Sequence, residues 1–537
     1  MYPDEVAPSR PVITPETQTY LDPNIRTLAE ALRDAGWRTG HFGKWHLGLN
    51  PEHWPEAQGF ETSFHGAPDP GPPSYFSPYG FPAGTVVDGP EGEYIADRLT
   101  DEAIRFIEEH RDEPFYLNLW HYNVHGPWGH KEEYTRQFVG KQDPRGEQAN
   151  PIMASMLKSV DESLGRILDT LDDLNLSKNT FFLFFSDNGG NTHSNTPEDP
   201  SFAKIKPGHK KWPMAESWRQ YAGDLPPTNN APLRQGKGWL YEGGVRVPMM
   251  ARFPGVVQPG SQCSEVVCSV DLYPTILELA GVERAADQPC DGISLAPLLR
   301  GSGILDREAV FFYYPHGQSR KPPGIAVRAG DWKLIRWYET SDMFPSEYEL
   351  YNLKDDLSET ANRAGEMPDL VKRLAALLDR HLEQTGAHPP IPNPNYKPGP
   401  APISGWRALN SDVEIERTEA GLAVECKTNR ASIATGQTPP AEGALVCVAS
   451  LRSGAGDSGR LYWGTKARPQ FSPDFRTDFA YEANGQWQEV RAAFESDGPL
   501  TQLRLDSSMK PARVEIQWVR LEDAEGKVLM QWDFIEQ

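Results

Sequence analysis

The chain has 537 residues, with 53 Lys and Arg against 75 Asp and Glu, and therefore a formal net charge of −22 at pH 7. Hydrophobic residues make up 38% of it, which excludes global disorder and is enough for the cores of two to four domains. The acidic balance argues against nucleic acid as a partner, and an anionic substrate would need positive charge gathered locally at its site.

Three helix-then-strand units in the first half of the chain predict an α/β core. Apolar spacing predicts helices over residues 24–35, 94–110 and 153–174, and apolar stretches follow them at 37–42, 115–120 and 180–185. Apolar strands between amphipathic helices indicate a mostly parallel sheet sandwiched by helices. No stretch reaches the roughly 18 consecutive apolar residues of a membrane helix, so no membrane span is predicted.

The second half of the chain predicts two further units. A helix at 272–280, strands within 324–338 and 346–353, and a helix at 370–382 indicate a small α+β subdomain. Seven prolines between His388 and Pro402 predict a stiff linker. An all-β sandwich of jelly-roll type is indicated by short alternating segments at 412–418, 422–426, 444–451, 459–463, 487–494, 500–505 and 514–521. The predicted domains are a core at 1–318, a subdomain at 319–387, a linker at 388–403 and a sandwich at 404–537.

Polar side chains follow two of the predicted strands. Asp187 and Asn188 come directly after the stretch 180–185, and a carboxylate beside an amide offers oxygen ligands to Ca²⁺ or Mg²⁺, although the same residues also make an ordinary loop. Lys44 and His46 follow the stretch 37–42, and in an extended backbone residues two apart point the same way. Such a pair suits an oxyanion, while the alternative is a turn with a solvated lysine and a structural histidine.

Two further residues could face the same rim of the sheet. His125 lies just beyond the stretch 115–120, although lone histidines are more often structural and His121 and His130 lie close by. Lys237 is flanked by glycines, which allow the backbone to approach a ligand closely, while a solvated loop lysine is the default interpretation.

Five segments resemble signatures of the sulfatase family, and they occur in the family order. They are the stretches at 36–48 (GWRTGHFGKWHLG), 186–190 (SDNGG), 233–253 (LRQGKGWLYEGGVRVPMMARF), 271–275 (DLYPT) and 349–353 (ELYNL). The resemblance implies an alkaline-phosphatase-like fold, contacts to the sulfate and the nucleophile from Lys44 and His46, and contacts to sulfate oxygens from His125 and Lys237. It also implies a Ca²⁺ ion held in part by Asp187 and Asn188.

The sequence departs from the family pattern at its start. The family's Asp-Asp pair and its Cys/Ser-x-Pro-x-Arg motif, whose first residue becomes formylglycine, are expected before Lys44, and only 43 residues precede that lysine. The segment from Val6 to Arg10 imitates the motif with valine in first place, which we interpret as coincidence, while Ser9 has no identifiable base. The nucleophile, its arginine and half of the metal ligands are therefore predicted to be missing. Divalent ions want six or more oxygens, so metal binding would be weak.

Three functional hypotheses follow. The first is a sulfatase acting on sulfated carbohydrate, whose sequence begins downstream of the true start and which is periplasmic or secreted if the missing segment carried a signal peptide. The second is a complete, non-catalytic protein that binds sulfated glycans. The third is a phosphatase or phosphonate hydrolase of the same superfamily.

The sandwich and the cysteines leave alternatives open. Stacking on sugars is one interpretation for four tryptophans, although tryptophans in short strands more often lie in a core: Trp406, Trp463, Trp487 and Trp518. The 5 cysteines have no paired CxxC spacing, which disfavours a zinc site and leaves their disulfide state open. The oligomeric state is likewise open.

Overall fold

The computed structural model describes residues 3, 10–67, 71–196, 199–286, 288–317, 321–340, 346–396, 403–409, 413–427, 431–465, 471 and 475–535. The chain divides into two compact units, Val12–Ile391 and Pro392–Gln537. This division falls within the predicted linker 388–403, and the predicted domain bounds themselves stay predictions. Val6 and Ser9 of the motif-like segment lie outside the described residues.

The centre of the first unit is a parallel sheet covered on both faces. Its strands lie in the order Thr62–Phe64, Arg38–Gly43 and Phe115–Trp120, and both outer strands run parallel to the middle one. The helix Ile95–Glu109 packs Leu99 and Phe106 against Phe42 on one face. On the other face the helix Leu28–Asp34 packs against Tyr116 through Leu32. The α/β architecture with a parallel core is thus confirmed.

Capping residues set the starts of two helices that follow the predicted pattern. Thr27 accepts a hydrogen bond from the Glu30 amide, and the Glu30 side chain accepts one from the Thr27 amide, which begins the helix Leu28–Asp34. Asn150 accepts from two amides at the start of the helix Pro151–Asp173. Both arrangements satisfy backbone donors that a helix leaves unpaired at its first turn.

One apolar strand does not join the parallel sheet. Phe182–Phe185 pairs antiparallel with Met249–Arg252, so the prediction that it lies in the parallel sheet is corrected. An apolar run indicates burial but not the partner of its ladder, which here is the chain returning after Arg246. Within the described residues, Phe182–Phe185 and Phe115–Trp120 are each paired along one edge only.

A second, antiparallel sheet supports the loop that carries Lys237. Its strands lie in the order Tyr348–Asn352, Trp332–Trp337, Gly324–Ala329 and Val310–Tyr314. The helix Pro368–Thr385 covers one face, and Leu240 and Tyr241 pack on the other. The predicted strand region 324–338 is therefore a hairpin, and Val310–Tyr314 is a strand that the sequence analysis did not identify.

The remaining elements of the first unit are short. The other helices are Glu132–Phe138, Pro200–Ala203, Trp212–Tyr221, Glu242–Val245, Leu272–Ala280 and Ala296–Leu299. Single 3-10 turns occur at Pro51–His53, Pro55–Gln58, Ser177–Asn179 and Ser269–Asp271. Strands of two residues occur at Val12–Ile13, Gly66–Ala67, Ala83–Gly84 and Ile391–Pro392.

The second unit is an antiparallel β-sandwich, as predicted. One sheet has the order Arg407–Ala408, Ser432–Thr435, Leu500–Asp506, Ser458–Thr465 and Arg476–Ala480. The other has the order Val413–Thr418, Gly421–Cys426, Ala512–Asp523, Gly443–Ser453 and Gln488–Ser496, with Val528–Asp533 also paired to Ala512–Asp523. Side chains from both sheets form one apolar core.

Two of the four candidate sugar-stacking tryptophans lie in that core. Trp406 is 0% exposed and Trp463 is 6% exposed, so neither can stack on a ligand. Trp487 and Trp518 are half-buried, and each is covered by an arginine guanidinium, at 4.7 and 4.5 Å from the ring centre. All five cysteines are free thiols. Among the described residues, no helix is both long and apolar enough to cross a membrane.

Candidate functional site

The ends of two parallel strands place Lys44 at one edge of the sheet. The Lys44 amide donates a hydrogen bond to the Trp120 carbonyl at 2.8 Å, directly after Gly43 pairs with Trp120. Gly43 has a φ of 109°, and a Cβ there would lie 1.9 Å from the Trp120 oxygen. Only glycine fits this close approach, which brings the segments after both strands to the same edge.

Tyrosine hydroxyls hold the segment that carries His125. Tyr75 donates to the carbonyls of Tyr122 and His125 at 2.8 and 2.6 Å, and Tyr122 donates to the Gly43 carbonyl at 3.3 Å. The imidazole Nδ1 of His125 lies 2.9 Å from the Gly126 carbonyl. A carbonyl oxygen only accepts, so Nδ1 carries the proton and Nε2 is the open position of the neutral ring.

The neighbouring histidines have structural partners. His121 bonds the Ser163 hydroxyl at 2.9 Å, and burial lowers its pKa to about 4. His130 bonds the hydroxyls of Thr135 and Ser217. Lysines lower the pKa of His125, whereas no lysine is among the causes that shift the pKa of His121 or His130. His125 is therefore the candidate site residue of the three.

Main-chain hydrogen bonds join the loop of Lys237 to the loop of Asp187. The Lys237 amide donates to the Gly190 carbonyl at 3.0 Å, and the Gly189 amide donates to the Gly244 carbonyl at 3.0 Å. The Asn230 side chain bonds both the amide and the carbonyl of Gly190 and also the Gln235 carbonyl. These contacts fix the position of Lys237 relative to Asp187 through the backbone.

A buried triad of charges lies beneath the Lys237 loop. The Lys333 ammonium is 3.0 Å from the Glu242 carboxylate and 2.9 Å from the Glu359 carboxylate, and the Lys333 and Glu359 side chains are 0% exposed. Glu359 also accepts a hydrogen bond from the Glu242 amide at 2.7 Å. Arg234 donates to the Glu359 carbonyl at 2.8 Å, and its guanidinium lies 3.9 Å from the ring centre of Tyr241. The triad thus anchors both ends of the segment around Lys237.

The charged groups of the site act on one another. Burial lowers the pKa of His125, and Lys237 and Lys44 lower it further, while Asp187 opposes them. Burial and then Lys44 lower the pKa of Lys237, and Asp187 raises it. Within the described part of the chain, no carboxylate lies at ion-pair distance from Lys44 or Lys237. Lys44, His125, Lys237 and Asp187 therefore lie close enough for their charges to act on one another, and the two lysines outnumber the one carboxylate among them.

His46 and Asn188 are the two other predicted site residues. The strand ends at Gly43 and His46 has a φ of 56°, so the extended backbone expected for Lys44 and His46 is not observed, and His46 is exposed where Lys44 is half-buried. Asn188 follows Asp187, and its carbonyl accepts a hydrogen bond from the Ser186 hydroxyl at 2.9 Å.

The structure also brings Lys321 to the site, which the sequence analysis missed. Its ammonium donates to the Lys237 carbonyl at 2.6 Å across a separation of 84 residues. Its pKa is lowered by burial and by Lys237. The only local signal is a lysine before two prolines, which predicts no contact with a distant loop.

The described residues do not make a complete calcium site. Asp187 and Asn188 would supply two side-chain ligands, and among the described residues no group of three or more His, Cys, Asp or Glu side chains could hold a metal ion. Ca²⁺ takes six to eight oxygen ligands. The predicted Ca²⁺ therefore stays a prediction, and no chemical step is derived through it.

Sequence profiles of two known families match the first unit. The profile described as Sulfatase matches residues 4–282, and the one described as N-sulphoglucosamine sulphohydrolase, C-terminal, matches residues 235–386. These matches contain Lys44, His125 and Lys237, so the segments that form the site are those that the profiles describe.

Curated relatives and solved structures agree with the profiles. A sulfatase of Formosa agariphila is 31% identical over 299 residues, or 51% of this chain and 47% of that protein. The N-acetylgalactosamine-6-sulfatase of Mus musculus is 30% identical over 357 residues, or 62% of this chain and 59% of that protein. The chain thus spans about half the length of these relatives. Ps i-CgsB, solved in complex with k-i-k-neocarrahexaose, has a TM-score of 0.53 at 24% identity over 68% of this chain and 76% of that chain, which shows a shared fold.

Proposed function

The chain belongs to the sulfatase family, and we propose that it acts on sulfate esters of carbohydrates. One observation carries the proposal: Lys44, Lys237 and His125 converge with no carboxylate at ion-pair distance from either lysine in the described residues. Half-buried cations without a counter-ion are costly unless an anion binds among them. The name of one relative, N-acetylgalactosamine-6-sulfatase, supports a sulfated sugar as that anion.

The residues of the site would divide the work of ester hydrolysis. Lys44 and Lys237 would offset the charge on the sulfate oxygens, which grows as the bond to the sugar oxygen breaks. His125 holds one proton on Nδ1 through the Gly126 carbonyl. The bound anion favours the imidazolium form of His125. As the oxygen of a water molecule bonds to sulfur and the bond from sulfur to the sugar oxygen breaks, Nε2 would give its proton to the departing sugar oxygen and regain one from that water.

A second candidate function is binding of sulfated glycans without hydrolysis. It is favoured by the absence of any residue that we can assign as nucleophile within the described residues, since Val6 and Ser9 lie outside them. The cations that bind the anion are nevertheless in place. Phosphate-ester hydrolysis by the same site is a third candidate and shares the same cations.

An activity assay of the full chain tests the proposal. The substrates are 4-nitrophenyl sulfate and N-acetylgalactosamine 6-sulfate, and 4-nitrophenyl phosphate is the comparison. We expect release of sulfate from both sulfate esters, and loss of at least about tenfold in kcat/KM for Lys237→Ala, because one charge-assisted contact is removed. Lys178→Ala is the matched control, since Lys178 is exposed and lies at the opposite end of the strand that leads to Asp187.

The outcomes separate the three candidates. Binding of N-acetylgalactosamine 6-sulfate without turnover would favour the glycan-binding function, and faster turnover of the phosphate ester would favour the third candidate. Activity that Lys237→Ala leaves intact would contradict the site assignment. Absence of both binding and turnover would contradict the proposed function.

A further inference from the structure

A third lysine adjoins the two that would bind the sulfate. The Lys321 ammonium donates to the Lys237 carbonyl at 2.6 Å, and it lies 6.0 Å from the ring centre of Trp239. A Cβ built on Gly238 would lie 2.6 Å from the same ammonium, so the loop and the lysine are closely packed. The Lys321 ammonium has three donor hydrogens, and the Lys237 carbonyl takes one of them.

The three lysines near the site lack carboxylate partners. In the described part of the chain, Lys44, Lys237 and Lys321 have no carboxylate within ion-pair distance, and Asp187 is the acid that acts on Lys237 and His125. Asp199 acts on His193, so three lysines and two aspartates leave a net charge of +1 when the histidines are neutral. A sulfate monoester held by Lys44 and Lys237 would balance this net charge, but the Lys321 ammonium would still have only the Lys237 carbonyl as its hydrogen-bond partner among the described residues.

A histidine lies on the same side as the third lysine. Thr192 packs against Gly236, where a Cβ would lie 3.0 Å from its methyl group, and His193 follows in an exposed position. Burial is the largest cause that lowers the pKa of His193; Lys321 and Lys237 lower it further, while Asp199 raises it. The packing of Thr192 on Gly236 thus holds His193 beside the Lys237 loop, where the charge of Lys321 acts on the imidazole.

We propose that Lys321 and His193 form a second anion subsite beside the sulfate site, so that the preferred ligands carry two anionic groups. This inference rests on the proposed function. The second group would be a sulfate or carboxylate on the same sugar or on its neighbour, because the Lys321 ammonium adjoins the backbone of Lys237. A disulfated sugar would thus give the Lys321 ammonium the anionic partner that a monosulfated sugar leaves out.

Calorimetric binding to the full chain tests the second subsite. The ligands are N-acetylgalactosamine 6-sulfate, N-acetylgalactosamine 4,6-disulfate and N-acetylgalactosamine 6-phosphate, all at the same ionic strength because salt screens such contacts. We expect the disulfate to bind about tenfold or more tightly than the monosulfate, the gain of one charge-assisted contact. Lys321→Ala should remove most of this preference, Lys321→Arg should keep it, and Lys178→Ala should leave it unchanged.

Each outcome bears on one of the two proposals. Equal affinity of the native chain for monosulfate and disulfate would overturn the second subsite and leave the proposed function standing, as would a preference that survives Lys321→Ala. Tighter binding of the 6-phosphate than of the disulfate would also overturn it, because two charges on one group would then satisfy the lysines. If none of the three sugars binds, the proposed function fails, and the second subsite fails with it.

Discussion

Replacing Lys333 by methionine should destabilise the first unit strongly. The Lys333 ammonium lies 3.0 and 2.9 Å from two carboxylates, and no other cation is as close to Glu359 within the described residues. Removing one member of a buried ion pair costs about 3–5 kcal/mol, because the remaining charge is left without a partner. Lys333→Met leaves the buried Glu359 carboxylate without its cation, while Glu242 keeps Arg328 at 3.5 Å, so we expect a loss of unfolding free energy within this range at pH 8.

The same variant should show a distinctive pH dependence. Burial raises the pKa of Glu359 above its ordinary value even with Lys333 present, and removing the lysine raises it further. The folded variant then binds a proton that the unfolded chain releases, so its stability falls as pH rises through the window between these pKa values. The deficit relative to the native chain should accordingly be smaller at pH 5 than at pH 8.

Urea unfolding at both pH values measures the effect, and hydrogen exchange of the segment 234–245 reports on the triad directly. Lys158→Met is the matched control, because the Lys158–Glu162 pair is 3.7 Å apart and its side chains are 30% and 40% exposed. Such a pair is worth less than about 1 kcal/mol. A cost for Lys333→Met no larger than that of the control, or one that does not change with pH, would refute the reasoning.

Three further predictions concern the site, one helix and the sandwich. Affinity for N-acetylgalactosamine 6-sulfate should rise as pH falls from 8 to 6, because the bound anion raises the lowered pKa of His125. Calorimetry should show proton uptake on binding, and His125→Gln should abolish this uptake. Gly236→Ala should weaken sulfate binding in the same assay, because its Cβ would lie 2.2 Å from the Gly190 carbonyl. Gly165→Ala is the matched change in an exposed helix position with open space around it. It should stabilise the chain by about 0.5–1 kcal/mol in thermal unfolding. Trp406→Ala should cost the second unit about 3–5 kcal/mol in urea unfolding without changing sulfate binding, and a loss of binding with unchanged stability would contradict its place in the core.

Sequence patterns predicted the parts of the site that depend on local structure. Lys44 and His125 each follow an apolar strand, and the carboxyl ends of parallel strands meet at one edge, so their proximity could be inferred from two short stretches. Lys237 was marked by its flanking glycines. In each case the signal lay within a few residues of the side chain concerned.

The parts that the sequence did not reveal depend on distant packing. Lys333 occupies a strand in which a charged residue ordinarily indicates a solvent-facing position, and only the packing of Tyr241 on that sheet buries it beside Glu242, 91 residues away. Lys321 reaches its partner across 84 residues. His46 differs from the prediction because its backbone is left-handed, which is uncommon for residues other than glycine, whereas the spacing of Lys44 and His46 predicts an extended backbone.

The hydrogen bonds between the loops of Lys237 and Asp187 run between backbone atoms, with Asn230 as the side chain that joins them. Outward positions of those loops, such as the exposed Gln235, enter these hydrogen bonds through the backbone carbonyl and not through the side chain. Natural variation at these outward positions can therefore reshape the surroundings of the anion while the cation at the centre stays in place. One ancestral scaffold built in this way could diversify toward different sugars by altering only its periphery.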